Sequence, residues 1–444
     1  MSKRNICFAA VAAFFIIIAV SVTLFAVLNR RAGIPDGSGD VSESGEPAGD
    51  ISDIKVKHVF DRNLRGIWIA SVYNIDYPSG KGLDSETLKA ELDDIIETAS
   101  AAGLNAVFFQ VRPSSDALYA SDIFPTSSYL VKNQGDSLPD GFDPLLYLIN
   151  RAHSENISVH AWVNPVRVTA GSRKYPQTDL LSLSENNPAR LNPEWVVTYN
   201  EACMYYNIGI PAARQLIADG VREIAAKYDV DGVVFDDYFY PYPADGAEFD
   251  DRSAYETYGS EFSDIGDFRR GSVNQLVRLC YDAIKAENPE CLFGVSPFGI
   301  WSNDNGENGG SETLGLDAYN TIYCDALAWA RSGCVDYIAP QLYWQLSSKA
   351  APFGTLADWW NKKLSEYGIA FCISYAGYKT EEWGGSSELM RQIEYAGSLS
   401  AYDGGIIYGY SALKGNTLGL LDTLAAAFSD SAGASSGQSE SNVS

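Results

Sequence analysis

Histidine is scarce in this sequence, with three among 444 residues. No H-E-x-x-H motif or Cys–His arrangement is present. The six cysteines beyond residue 31 (Cys203, Cys280, Cys291, Cys324, Cys334 and Cys372) never fall in C-x-x-C spacing. Zinc and thioredoxin-like readings therefore have no support, and most of these cysteines are expected to be buried free thiols. Basic side chains are few, 32 against 57 acidic, leaving a formal charge of −25. Phosphate neutralisation needs a basic face, so nucleic acid is not a partner. Anionic surfaces would also be repelled, except at local patches. A P-loop and strand-linked G-x-S-x-G and G-x-G-x-x-G motifs are all missing, and with them three common routes to catalysis or cofactor binding. No cofactor and no metal is expected. Aromatics, by contrast, are plentiful. The 27 Tyr, 19 Phe and 9 Trp rule out a disordered chain and supply a large core.

The first 31 residues stand apart. Lys3 and Arg4 precede an uncharged run of 23 residues, Ile6 to Leu28, and Arg30 and Arg31 follow it. That run is long enough to span a bilayer and longer than the apolar part of an export signal, and no clear A-x-A cleavage site follows. An uncleaved N-terminal transmembrane helix is expected, with a cleaved signal as the alternative. Basic residues at both ends leave orientation open; an extracellular barrel is the simpler topology. Residues 32–59 read as a flexible acidic Gly/Ser linker, and 429–444 as a disordered Ser/Gly tail. The folded part is then 60–428.

Eight strand-like runs recur there, starting near 65, 105, 157, 231, 291, 335, 369 and 404, each followed by a helix-period segment. Strict alternation implies a parallel sheet, and eight units close a (β/α)8 TIM barrel. A doubly wound open sheet is the alternative. The longest intervals follow strands three and four, with the helix at the end of each. The extra residues therefore lengthen loops on the C-terminal face, where barrel active sites lie. Period-two reading puts Gln110 with Arg112, His160 with Trp162 and Asn164, and Gln341 with Tyr343 on common faces, as a polar upper layer would require.

The segment 231–243, DGVVFDDYFYPYP, carries the chemistry. An apolar strand ends in Asp236 and Asp237, which alternation would point to opposite faces. Asp236 shares the parity of Gly232 and Val234 and is expected inside the barrel, with Asp237 at the rim. A loop-capping or Arg112-paired Asp is the structural alternative. A cation site would need ligands that are not evident. Glycosidic cleavage needs an acid for the leaving oxygen and a second group at the oxocarbenium-like centre, which a carboxylate pair can supply. Trp68, Trp162, Tyr238, Tyr240, Trp301 and Trp344 lie at or beyond strand ends, where aromatics suit sugar stacking.

The segments LRGIWIAS (64–71), FFQVRPSSDALYASDIFPTSSYL (108–130), HAWVNPVRV (160–168), GVVFDDYFYPYP (232–243), GVSPFGIW (294–301) and YIAPQLYW (337–344) resemble the bacterial glycosyl-hydrolase-like family ten. The resemblance spans about 64–428. It implies a barrel enzyme, often exported or surface-tethered, that cleaves peptidoglycan glycan strands stripped of stem peptides. Gln110, Arg112, Asp116, Tyr119, His160, Asn164, Arg167, Asp236, Asp237, Tyr238, Gln341 and Tyr343 fall on family positions. Two positions depart from the family pattern. Thr126 stands where a Trp is usual, and Ala212 where a Glu is usual, either as a catalytic group or as a dipole-favoured cap. With an N-acetylated substrate, the 2-acetamido oxygen would attack the anomeric carbon. One Asp would orient the amide and the other protonate the glycosidic oxygen, while Gln341 and Tyr343 held the acetamide carbonyl. The expected function is thus a membrane-anchored, extracellular cell-wall glycosidase. The alternatives are a non-catalytic glycan-binding scaffold and a hydrolase of another polysaccharide.

Overall fold

The computed structural model describes residues 55–435. Its strands are β1 (Leu64–Ile69), β2 (Ala106–Arg112), β3 (Ser158–Val163), β4 (Val196–Tyr199), β5 (Cys203–Tyr206), β6 (Gly232–Phe235), β7 (Leu292–Val295), β8 (Tyr337–Ile338), β9 (Ala370–Tyr375) and β10 (Tyr402–Tyr408). Eight of them close a parallel barrel in the order β1-β10-β9-β8-β7-β6-β3-β2, and β4 and β5 form a separate antiparallel hairpin. The principal helices are α1 (Ser85–Ala101), α2 (Pro144–His153), α3 (Pro211–Lys227), α4 (Ile265–Glu287), α5 (Ala326–Ser332), α6 (Phe353–Tyr367), α7 (Ser387–Gly397) and α8 (Leu420–Ser435). Short polar caps set their starts: Asp84, Asp143 and Asp264 accept from backbone N–H groups in the first turns of α1, α2 and α4. The (β/α)8 barrel expected from the alternation is the fold observed.

The barrel interior is filled by Leu64, Trp68, Phe108, Trp162, Val234, Tyr337, Cys372 and Ile406, while a larger apolar layer joins the outer sheet face to the helices. Bulky lumen residues fit because small ones oppose them. A Cβ on Gly232 would lie 2.3 Å from His160 Nδ1, and one on Gly294 would lie 2.1 Å from the Tyr337 ring. The long loops after β3 and β6 run to α3 and α4 on the C-terminal face, and the first carries the β4–β5 hairpin. All six cysteines of this region are buried and free.

At the opposite end, a strap formed by residues 55–63 closes the barrel floor. Lys57 N donates to Gly368 O at 3.0 Å. Asp403, fully buried, bonds His58 Nδ1 at 3.0 Å and accepts from Phe60 N at 2.8 Å and Arg62 N at 2.7 Å. The Phe60 ring packs 5.0 Å from Tyr337 and 5.7 Å from His160. Residues 55–59, read from sequence as linker, therefore belong to the fold. The expected membrane span Ile6–Leu28 and the rest of the linker lie outside the described residues. Among the described residues, no helix is long and apolar enough to cross a membrane.

Three boundaries differ from the sequence expectation. The helix expected over 318–331 breaks, because Tyr323 takes φ +56° and Asp325 starts α5 by accepting from Ala328 N. Strand β8 shrinks to two residues, since Pro340 has no N–H to continue the ladder. The last helix continues to Ser435 rather than stopping at 428, as its Ala425–Ala427 run favours.

Candidate active site

Strand β6 ends at Phe235, so strand alternation no longer governs the two carboxylates that follow. Asp236 keeps the inward parity of Val234. Asp237 is turned inward as well: Phe239 N donates back to Asp237 O at 3.0 Å, and the side chain is only 2% exposed against 4% for Asp236. The expected rim position for Asp237 is thus corrected, and both acids are buried together. Asp236 Oδ2 accepts from Trp162 Nε1 at 3.2 Å and from Asn164 Nδ2, and Oδ1 receives only Tyr238 N, at 3.3 Å. Asp237 Oδ1 accepts from Gln341 Nε2 at 3.1 Å, and Oδ2 from the Tyr242 hydroxyl. Burial, then the neighbouring charge of Asp237, pushes Asp236 up to about 7. Asp237 is raised by burial too, against the pull of the Tyr242 and Gln341 hydrogen bonds, which favour its ionised form. The pair therefore shares a proton near neutrality, with Asp236 the better holder.

Gln110 supports this centre from β2. Its Nε2 donates to Asn164 Oδ1 at 2.5 Å, and its Oε1 accepts from Ser71 N and Val72 N at 2.9 Å each. Gln341 also donates to Ser296 O at 3.1 Å, so its amide holds Asp237 in place of the proposed acetamide contact. Tyr238 lies half-buried beneath the Arg167 guanidinium at 4.5 Å. Its ring leads through Tyr242 (5.6 Å) and Phe298 (6.0 Å) to Trp344 (5.6 Å), an aromatic row along one wall. On the other side, Tyr343 stacks on Tyr408 at 6.4 Å with Tyr378 edge-on at 5.9 Å.

Several expected site residues lie elsewhere. A β-bulge between Gln110 and Arg112 breaks the alternation, so Arg112 pairs with outward-facing Val163. Its guanidinium is sealed against Phe124 at 3.7 Å and crowds Gly220 of α3. Asp116 is buried in the loop after β2, accepting from Gln134 Nε2 at 3.0 Å, and Tyr119 packs edge-on to Tyr228, 5.5 Å away. His160 faces the lumen but lies too deep, stacked on Phe108 at 4.5 Å beside the floor plug. Burial lowers it to about 4, so it is neutral at ordinary pH. Tyr240 packs outward on Phe249 and Tyr323. Trp301 stacks on Trp359 of α6 and donates to Asp325 at 3.1 Å. Sequence reasoning missed Tyr242, although the run of alternating aromatics and prolines contained it. It also missed Ser71 and Ser296, whose backbone groups carry no such signal.

A parallel eight-stranded barrel with two coupled carboxylates at its C-terminal rim, walled by tyrosines, is the layout of a carbohydrate-cleaving enzyme. The chain belongs to the family described as Glycosyl hydrolase-like 10, which it matches over residues 63–386. It is 42% identical over 371 residues to Glycosyl hydrolase YngK of Bacillus subtilis (strain 168), covering 82% of this chain and 71% of that protein. It is 34% identical over 365 residues to Glycosyl hydrolase DigH of Escherichia coli (strain K12), covering 78% and 82% respectively. Among solved structures, alpha-L-fucosidase isoenzyme 2 from Paenibacillus thiaminolyticus aligns with a TM-score of 0.50 at 13% identity, over 85% of this chain and 50% of that one. That likeness concerns the fold alone. The chain is a glycoside hydrolase, and its substrate a carbohydrate.

Proposed function

We propose that the protein hydrolyses glycosidic bonds in N-acetylated bacterial cell-wall glycan, acting on strands free of stem peptides. The coupled Asp236–Asp237 pair carries this reading. Asp236 gives its proton to the glycosidic oxygen while the substrate's 2-acetamido oxygen attacks the anomeric carbon. Asp237, whose ionised form the Tyr242 and Gln341 hydrogen bonds favour, accepts the acetamide N–H and offsets the charge that develops on it. The leaving sugar departs as an alcohol. Water then opens the cyclic intermediate, returning a proton to Asp236. An extracellular enzyme held at the membrane by the Ile6–Leu28 run is part of the same reading, and the length of that run supports the span.

A binding-only scaffold would rest on the departures from the family pattern at Ala212 and Thr126. Ala212 is exposed on the first turn of α3, and Thr126 lies in the loop after β2, where its carbonyl accepts from Gly135 N at 2.9 Å. Neither is among the residues bonded to the acid pair. Incubating the full chain with peptide-free glycan strands should release new reducing ends, whereas a neutral glucan should stay intact. Binding without cleavage would support the scaffold, and cleavage of the glucan alone another polysaccharide as substrate. Wild-type rates in both Asp236→Asn and Asp237→Asn would remove the acid pair from the mechanism.

A further inference from the structure

Arg167 is 9% exposed, and among the described residues its guanidinium enters no ion pair. Its one long polar contact is from Nη1 to Pro113 O at 3.4 Å, and its flat face rests on Tyr238. The other buried guanidiniums are differently placed. Arg269 grips Asp251 through Nε at 2.8 Å and Nη2 at 2.6 Å, Arg214 donates to the Ile208 carbonyl, and Arg112 is sealed behind the sheet. Arg269 does lie over Tyr240, but that ring packs away from the acids, whereas Arg167 lies over Tyr238, which follows Asp237 and donates its own backbone N–H to Asp236. Asp236 acts on Arg167 through space without pairing with it.

A guanidinium stacked on one face presents its N–H edge as a fork for a carboxylate. Two acids beside it would repel an anionic ligand unless this cation compensated. Resting on the cell-wall reading above, we infer that Arg167 binds the free lactyl carboxylate of a muramic acid unit beside the bond that breaks. The lactyl ether is on the ring carbon adjacent to the one that bears the acetamide, so one sugar reaches both Arg167 and the acid pair. A stem peptide converts that carboxylate into a neutral amide and removes the charge Arg167 recognises. Specificity for peptide-free strands would then be electrostatic.

The test compares peptide-free strands with the same strands whose carboxyls are capped as methylamides, using the full chain for both cleavage and binding. The wild type should favour the free carboxyl about 10- to 100-fold in kcat/KM, mostly through KM, as a charge-assisted contact implies. Arg167→Ala should lose at least about tenfold more on free strands than on capped ones, and Arg167→Lys should keep part of the preference. Equal losses on both substrates, or a wild type indifferent to capping, overturn the inference. If the wild type cleaves neither substrate yet binds free strands better, and Arg167→Ala abolishes that preference, the inference stands and only the hydrolytic reading falls. If neither cleavage nor preferential binding is seen, both fall.

Discussion

Gln341 donates from Nε2 to Asp237 Oδ1 at 3.1 Å and to the Ser296 carbonyl oxygen at the same distance. One amide thereby joins the chain segments that follow β6, β7 and β8. Its role is to hold Asp237, so its loss should act on kcat. Gln341→Ala is expected to lower kcat about tenfold or more with little change in KM, because small displacements of reacting groups are costly. Steady-state kinetics on peptide-free glycan checks this. A rise in KM alone would show that Gln341 serves binding.

On the proposed mechanism Asp236 is the proton donor, and it then matters most when the leaving group is poor. Asp236→Asn should reduce cleavage of native glycan by about 10²- to 10⁴-fold. On an aryl glycoside with a strongly acidic phenol, the same variant should recover most of its rate. Equal loss on both substrates would assign Asp236 another role.

The pH dependence follows from the same pair. The proposed mechanism requires Asp236 to be protonated, so kcat/KM should fall as pH rises through about 7. Asp237→Asn removes the like charge that helps to raise Asp236. In its residual activity, the basic limb should move to lower pH.

Stability should show the opposite face of that arrangement. The folded state raises Asp236 from an ordinary carboxylate value to about 7, so it binds more protons than the unfolded chain between those limits. Stability attributable to this group therefore falls as pH rises across that window, and the penalty is complete above the folded value. Asp236→Asn should raise Tm at pH 8 and leave it nearly unchanged at pH 4, as thermal scans at the two pH values would reveal.

Gly220 tests the outward placement of Arg112. A Cβ there would lie 2.4 Å from Arg112 Nη1 and 2.7 Å from the Phe124 ring. Gly220→Ala should destabilise the fold by about 1–3 kcal/mol while leaving KM unchanged. A changed KM at unchanged Tm would return Arg112 to the substrate side.

The barrel was legible because its strands are apolar runs and its helices carry a 3.6-residue period, both of which survive in the sequence. Trp162 was legible by parity within β3, and Asn164 and Asp236, one residue beyond their strands, keep the inward parity of those strands. Arg112 was not, because one extra residue at Val111 reverses the face and leaves no compositional trace. His160 has the right parity but sits a layer too deep, and depth is set by strand stagger around the barrel. Asp237 turns inward through a backbone contact beyond the strand end, where period-two reasoning has nothing to count.

Asp403 and the strap it secures lie on the floor of the barrel, opposite the acid pair. Whatever precedes Lys55 is therefore joined to the domain from behind. A pull along the chain would load the bonds from His58, Phe60 and Arg62 to Asp403 before it reached the loops that hold Asp236 and Asp237. On the proposed reading, attachment and catalysis would be separated by the height of the barrel, leaving the open face free to meet a long polymer lying across it.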